Sequence, residues 1–146
     1  MNEEEGTYKH TELTEQIIGV FYEVYNELGV GFLERVYEEA MALVLRSKGL
    51  DVQCQVPLPV WFRGTKIGTY EADLVVAGSV LVELKACKGL DPSHEAQLLS
   101  YLRSTKIEVG LLLNFGPRPQ LRRFVFQNER KGISVHQRSS AAKGFS

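Results

Sequence analysis

The sequence predicts an α/β domain in which helices flank a central mixed β-sheet. Two amphipathic helical segments come first, several strand-like segments follow, and a third helix separates these from a further apolar strand. Helices that precede and interrupt a set of strands pack on the faces of one sheet. The 146 residues are enough for one domain with a core of its own.

The first two helices are predicted from apolar spacing and from glycine. From residue 12 to residue 28, apolar side chains recur every three or four positions, which makes one stripe. The stripe consists of Leu13, Ile17, Val20, Val24 and Leu28. Gly29 ends this helix, and residues 29–31 form a flexible joint. A second helix is expected from about Leu33 to Lys48, followed by Gly49.

The strands are predicted from alternation and from turn residues. Residues 52–56 alternate apolar and polar side chains, and Pro57 and Pro59 then indicate a sheet edge or a bend. Further strands are expected at residues 60–63, 66–76 and 80–86, and the last is apolar enough to lie centrally in the sheet.

The second half of the chain contains one more helix. Asp91 is placed to cap it and Pro92 to occupy its first position, with its end at about residue 104. A buried strand at 107–114 and two late strands at 124–126 and 133–135 follow. We expect a flexible lead at residues 1–10, one domain at 11–138 and a flexible tail at 139–146.

The charge distribution excludes a generally basic coat for nucleic acid. The net charge is −1, but residues 103–146 carry nine basic and two acidic side chains. Either one face of the protein is cationic, or the acidic N-terminal part and the basic C-terminal part of the chain neutralise each other in the fold.

The sequence predicts a cytoplasmic protein without a membrane partner. No apolar run approaches the ~18 residues of a membrane-spanning helix, and the acidic N-terminus is unlike a secretory signal. Two isolated cysteines, Cys54 and Cys87, fit a reducing compartment.

Two carboxylates and a lysine are expected to converge where the strands 66–76 and 80–86 meet. If the turn centres on Gly78, antiparallel pairing sets Asp73 opposite Glu83, with side chains roughly 5 Å apart. Lys85 follows two residues later and emerges on the same face. A slip of one residue in the turn would separate these side chains.

Such a cluster is suited to a hard divalent cation. Adjacent carboxylates repel each other unless a proton or a cation intervenes. Mg²⁺ binds one or two carboxylates together with waters and phosphate, and a nearby ammonium can stabilise a phosphoryl transition state. The cluster therefore favours phosphodiester hydrolysis. The alternative is a ladder of charges on a solvated strand face.

Four motifs carry a resemblance to a known family. Asp73 with Glu83-Leu84-Lys85 resembles the signature of the PD-(D/E)XK nuclease superfamily. Residues 31–37 read GFLERVY and resemble the motif of its GxxExxY family. Residues 94–101 read HEAQLLSY and resemble the QxxxY helix, and residues 110–116 resemble the strand after it.

The resemblance implies a restriction-endonuclease-like fold, a Mg²⁺ cofactor replaceable by Mn²⁺, and DNA as the partner. It implies that Asp73, Glu83 and the Leu84 carbonyl bind metal, with Glu34 binding directly or through water. It implies that Lys85 is the catalytic lysine, and it assigns Gln97 and Tyr101 to an accessory motif on the following helix. Enzymes of this type that cut both strands often form homodimers, so a homodimer is a further expectation.

Several of these residues have a structural alternative. Glu34 could be a favourable charge in the first turn of a helix, and Gln97 a solvated helix residue. Tyr37 and His94 are further accessory candidates at the site. Tyr37 and Tyr101 could instead be core or supporting residues, and His94 a capping or packing residue. The whole chain could be a non-cleaving module that binds nucleic acid or protein.

The sequence allows more than one role for two further sets of side chains. Trp61 and Phe62 are compatible with a core, a dimer contact or a platform for base stacking. The late basic residues either bind phosphates or are helix-end or solvent-facing residues. They are Arg118, Arg122, Arg123, Arg130 and Lys131.

Overall fold

The chain folds as two helices, an antiparallel three-stranded meander, a third helix and two further strands, in a computed structural model that describes residues 10–131. The helices are α1 (Thr11–Leu28), α2 (Glu34–Ser47) and α3 (Pro92–Ser104). The strands are β1 (Val52–Phe62), β2 (Thr65–Val76), β3 (Val80–Lys85), β4 (Val109–Phe115) and β5 (Pro119–Val125). A 3-10 turn follows at Asn128–Arg130.

The five strands form one mixed sheet in the order β1-β2-β3-β4-β5. Only β3 and β4 pair in parallel, whereas all other neighbours are antiparallel. Parallel neighbours need a crossover connection, and α3 provides it. The predicted mixed sheet flanked by helices is confirmed.

Apolar side chains cover both faces of the sheet. Helices α1 and α2 bury Ile17, Phe21 and Leu45 against one face, in a cluster that includes Leu74 and Val82. Helix α3 buries Leu98 and Leu102 against the other face, in a second cluster that includes Val75 and Leu81. The central strand therefore lies between two layers of helix, which fits its nearly continuous apolar sequence.

Strand β1 continues through both prolines, although the sequence analysis divided it. Pro57 pairs with Glu71 and Pro59 with Thr69. The pairing between the two strands skips Gln55 and Asp73, and the register shifts between Val60 and Trp61. The strand lies at the edge of the sheet. Proline is tolerated there because its missing N–H would have pointed away from the sheet.

Strands β1 and β2 change faces together beside the candidate site. Cys54 packs on the α1–α2 cluster and Val56 on the α3 cluster, although residues two apart in a regular strand share a face. Ala72 and Leu74 differ in the same way. Gln55 lies at the change and has a left-handed φ of 50°. A sheet edge or a bend was expected at Pro57 and Pro59, and the change of face lies instead at Gln55, two residues earlier.

Most predictions for the two termini fall outside the described residues. They are the strand 133–135, the tail 139–146 and nearly all of the lead 1–10. The late strand β5 begins at Pro119, earlier than the predicted 124–126. Among residues 10–131, no helix combines the length and apolar character needed to span a membrane.

Candidate active site

The predicted offset between β2 and β3 is correct. Leu74 pairs with Val82 and Val76 with Val80, which is the register expected for a turn centred on Gly78. The outermost pair of the β2–β3 ladder is Leu74–Val82, immediately next to Asp73. In place of the next backbone hydrogen bond, Oδ2 of Asp73 accepts from the Leu84 N–H at 2.8 Å. The aspartate is thereby fixed at the end of the central strand.

Glu83 has a buried carboxylate oxygen without a partner. Its Oε1 atom is buried and makes no hydrogen bond. Burial raises the pKa of Glu83 from 4.5 to about 7, against the opposing effects of the Asp73 backbone and Lys85. The nearby charges of Glu34 and Glu38 raise it further. A polar atom in this state is suited to a proton or a cation.

The charges of Asp73 and Lys85 belong to the same electrostatic cluster. Burial raises the pKa of Asp73, whereas the Leu84 N–H lowers it and the Glu34 charge raises it. The ammonium of Lys85 lowers the pKa of both Asp73 and Glu83. The structure therefore brings together the two acids and the lysine that the sequence analysis grouped.

Glu34 reaches the cluster from the start of α2. Its Oε2 atom accepts from the Ala86 N–H at 3.3 Å, just beyond the end of β3. Glu34 also raises the pKa of Asp73 and of Glu83 through its charge. Its position in the first turn of the helix agrees with the alternative of a favourable dipole interaction. The two roles are compatible in one side chain.

Tyr37 is a core residue that positions the start of α2. The side chain is fully buried and its ring stacks on Phe115 at 4.1 Å between centroids. Its hydroxyl donates to the Gly29 carbonyl at 2.6 Å and accepts from the Phe32 N–H at 3.4 Å. The expected accessory role at the site is therefore indirect: Tyr37 holds the joint that precedes Glu34.

Two polar residues beside the cluster, Glu38 and Gln55, were not predicted from the sequence. Glu38 is only 3% exposed, its carboxylate accepts from the Gln55 amide, and burial raises its pKa. The Gln55 amide also lowers the pKa of Asp73 through a hydrogen bond. Glu38 follows Glu34 by four residues and so shares its helix face, a signal that the sequence does contain.

The accessory helix residues take separate positions on α3. Gln97 is exposed, and its side chain makes no hydrogen bond within residues 10–131. The ring of Tyr101 stacks on Tyr70, 12° from parallel. His94 belongs to the helix cap: its Nδ1 atom accepts from the Asp91 N–H at 3.1 Å, and the Asp91 carboxylate accepts from Ser93 N–H. The structure thus shows the capping alternative for His94.

The loop that follows Lys85 is fixed by the side-chain amides of Asn114, which is buried, and of Gln120, which is half-buried. Asn114, fully buried, accepts from the Cys87 N–H and donates to the Cys87 carbonyl, each at 3.0 Å. Oε1 of Gln120 accepts from Asn114 Nδ2 and from the Leu90 N–H, also at 3.0 Å. Lys85 pairs directly with Asn114 across the parallel ladder. The strand end that carries Lys85 is therefore rigid.

Gly116 provides a prediction about this loop. A Cβ atom at Gly116 would overlap the Cys87 carbonyl oxygen, which is backbone and cannot move independently. We expect Gly116→Ala to lower the free energy of unfolding by about 1–3 kcal/mol, as overpacking does. Denaturant unfolding measures the change. The control is Gly19→Ala in α1, where a Cβ meets open space and should stabilise the helix by roughly 0.5–1 kcal/mol. Equal effects of the two substitutions would contradict the packing described for this loop.

The donor set fits a hard cation held by few protein ligands. Within residues 10–131, no group of three or more His, Cys, Asp or Glu side chains is arranged to enclose a metal ion. Asp73 and Glu83 supply two carboxylates, and Glu83 keeps an unpartnered buried oxygen. Mg²⁺ typically uses one or two carboxylates and completes its shell with water and phosphate. The residues present therefore fit such an ion without an all-protein cage.

Comparison with protein families identifies the fold and the family. A family model of the PD-(D/E)XK nuclease superfamily matches residues 11–124. The chain belongs to this superfamily. Its members generally use divalent metal ions, and membership implies nucleic acid as the class of partner. A comparison with curated protein sequences finds no significant match.

The chain is also similar to several solved structures. The crystal structure of SSO0001 is similar with a TM-score of 0.51 at 17% identity, covering 96% of this chain and 70% of that protein. An alkaline exonuclease from Laribacter hongkongensis matches with a TM-score of 0.48 and 12% identity, over 75% of this chain and 64% of its own. The Holliday junction resolvase Hjc of Archaeoglobus fulgidus matches with a TM-score of 0.37 and 15% identity, over 72% of this chain and 98% of its own.

Proposed function

We propose that this protein is a Mg²⁺-dependent nuclease of the GxxExxY type that hydrolyses phosphodiester bonds in DNA, with Mn²⁺ able to replace Mg²⁺. The observation that carries the proposal is the buried, unpartnered oxygen of Glu83 beside Asp73, at the strand end that leads to Lys85. Membership in the nuclease superfamily supports it.

The proposal assigns the metal to oxygen ligands at the end of β3. Asp73, Glu83 and the backbone carbonyl of Leu84 would hold it, and Glu34 would bind it directly or through water. A bound Mg²⁺ supplies Lewis-acid polarisation of the phosphate and compensates its charge. The N–H of Leu84 already orients the Asp73 carboxylate, so little reorganisation is needed for binding.

The proposed role of Lys85 is electrostatic. Its ammonium would lie against the phosphate that gains charge while a water attacks phosphorus, and it would stabilise the hydroxide that forms as that water loses its proton to solvent. The hydrogen bonds of Asn114 to Cys87 fix the chain after Lys85 and so restrict its reach. Exposed Gln97 and the stacked Tyr101 would line the same approach from α3.

Metal titration tests the proposed ligands. We expect calorimetry to show one Mg²⁺ or Mn²⁺ per wild-type chain and a large loss of affinity in Asp73→Asn. The matched control is Glu71→Gln, which removes an exposed carboxylate two residues earlier on the same strand. A metal that is present at a hundredfold of its dissociation constant also stabilises the fold by ~2.7 kcal/mol, so melting temperatures provide a second readout.

The titration can contradict the proposal in two ways. Equal affinities for the wild type and Asp73→Asn would show that the metal binds elsewhere. A loss of metal affinity in Glu71→Gln as large as that in Asp73→Asn would mean that binding depends on the overall negative charge and not on Asp73.

A second candidate function is a binding module that retains the fold and does not cleave. The net charge of −1 favours it. It predicts binding of DNA that weakens steeply with salt and leaves every phosphodiester bond intact in the presence of Mg²⁺. A homodimer, which would set two sites on one duplex, stays a prediction for sedimentation to test.

A further inference from the structure

A cavity lined by aromatic and basic side chains lies beyond the C-terminal end of α3. Its volume is about 350 Å³, within the range of small-molecule sites. Its lining consists of Trp61, Arg103, Ser104, Phe126, Arg130 and Lys131. Three of these six residues are cationic and none is acidic. Trp61 and Phe126 are half-buried and both line the cavity.

Two of the cations are held in defined positions. The Lys131 ammonium donates to the carbonyls of Thr105 and Ile107, at 2.7 and 2.8 Å, at the end of α3. The Arg103 guanidinium lies over the Phe126 ring, 5.6 Å from its centroid. Arg130 is exposed beside them. Positive charge is therefore concentrated next to aromatic faces, which is the arrangement used to bind nucleotides.

We propose that this cavity binds one unpaired nucleotide of a single-stranded nucleic acid, with the base on the Trp61 ring and its phosphate against Arg103 and Arg130. The inference rests on the proposed function and deepens it by naming single-stranded substrate. Duplex bases hide their faces in the stack, whereas an unpaired base offers a face to an aromatic side chain.

The cavity and Gln97, which the proposed function places at the active site, lie on the same helix, α3. Gln97 and Arg103 are six residues apart on this helix, about 9 Å along its axis. A strand that passes Gln97 can therefore reach the cavity without leaving the α3 side of the sheet. The same helix end carries Ser104, which also lines the cavity.

Trp61 is the only tryptophan in the chain, so its fluorescence reports on this cavity. The experiment titrates the full chain, carrying Asp73→Asn and in a chelator, with short oligothymidine. We expect binding to quench the tryptophan emission, and the matching duplex to leave it unchanged. Anisotropy of a dye-labelled oligonucleotide follows total binding independently.

Substitutions separate stacking from charge. Loss of one stacked base predicts an affinity about 5- to 150-fold weaker for Trp61→Leu, whereas Trp61→Phe retains a ring and should recover most of the loss. Arg103→Gln should weaken binding and reduce the salt slope by about one phosphate contact. Lys48→Gln removes the same charge from the end of α2, on the other side of the sheet, and should leave the quenching unchanged.

The outcomes distinguish this inference from the proposed function. If the labelled oligonucleotide binds while Trp61 emission and the affinity of Trp61→Leu are unchanged, the cavity is not the subsite, and the nuclease proposal stands. If duplex quenches as strongly as single strand, the preference for an unpaired base is wrong. If no nucleic acid binds at low salt, both proposals fail. If Trp61→Leu does not fold, the quenching of wild-type Trp61 emission and the affinity of Arg103→Gln still test whether the cavity binds the nucleotide.

Discussion

Glu83→Gln is expected to make the metal-free protein more stable than the wild type above pH 7, by about 3 kcal/mol. The folded-state pKa of Glu83 is about 7 and its ordinary value is 4.5. Below pH 4.5 the carboxyl is protonated in both states. Between 4.5 and 7 the unfolded chain ionises while the folded protein does not, so wild-type stability falls. An uncharged amide of the same shape removes that loss.

Denaturant unfolding in a chelator at several pH values measures this difference. The wild type and Glu83→Gln should be equally stable near pH 4.5 and diverge as the pH rises to 7. Added Mg²⁺ or Mn²⁺ should stabilise the wild type and leave the variant unchanged, since the variant lacks a ligand. Glu71→Gln, exposed on β2, is the control and should follow the wild type. Parallel pH profiles for the wild type and Glu83→Gln would refute the description of Glu83 as a buried, unpartnered acid.

Lys85→Ala is expected to lower the rate of DNA cleavage by about 10²–10³-fold, the usual effect of removing one group that stabilises transition-state charge. Affinity for metal should change little, because the carboxylates remain. The measurement is single-turnover cleavage at saturating Mg²⁺, combined with DNA binding in its absence.

The control for this prediction lies three residues further along the chain. Lys88 is exposed in the loop after β3, and Lys88→Ala removes the same charge outside the cluster. It should retain nearly the full rate. If both alanine variants lose activity equally, the effect is one of general positive charge, and Lys85 has no special role.

The positions that sequence reasoning predicted correctly are those governed by local rules. The α1 stripe, the cap at Asp91 and the β2–β3 register follow from helical spacing, from capping chemistry and from one turn glycine. The correct register places Asp73 next to the end of the β2–β3 ladder, and alternation along β3 places Glu83 and Lys85 on one face.

The features it missed depend on contacts between distant segments. Gln55 adopts its left-handed backbone at the bend of an edge strand, and its amide bonds to Glu38 of a helix 17 residues earlier. No local pattern marks that contact. The role of Tyr37 also depends on a distant segment. Its spacing fits a site motif, but its ring stacks on Phe115 and its hydroxyl donates to the Gly29 carbonyl.

The most direct test of the account is the cleavage of DNA by the wild type and by Asp73→Asn, purified in parallel. Single-stranded, duplex and branched DNA would each be incubated with Mg²⁺ or Mn²⁺, and the products resolved by length. We predict that the wild type cuts at least one of these DNAs, that a chelator stops it, and that Asp73→Asn binds the same DNA and leaves it intact. Equal cutting by both proteins, or DNA that the wild type binds and never cuts, would contradict the assignment of these carboxylates to phosphodiester hydrolysis.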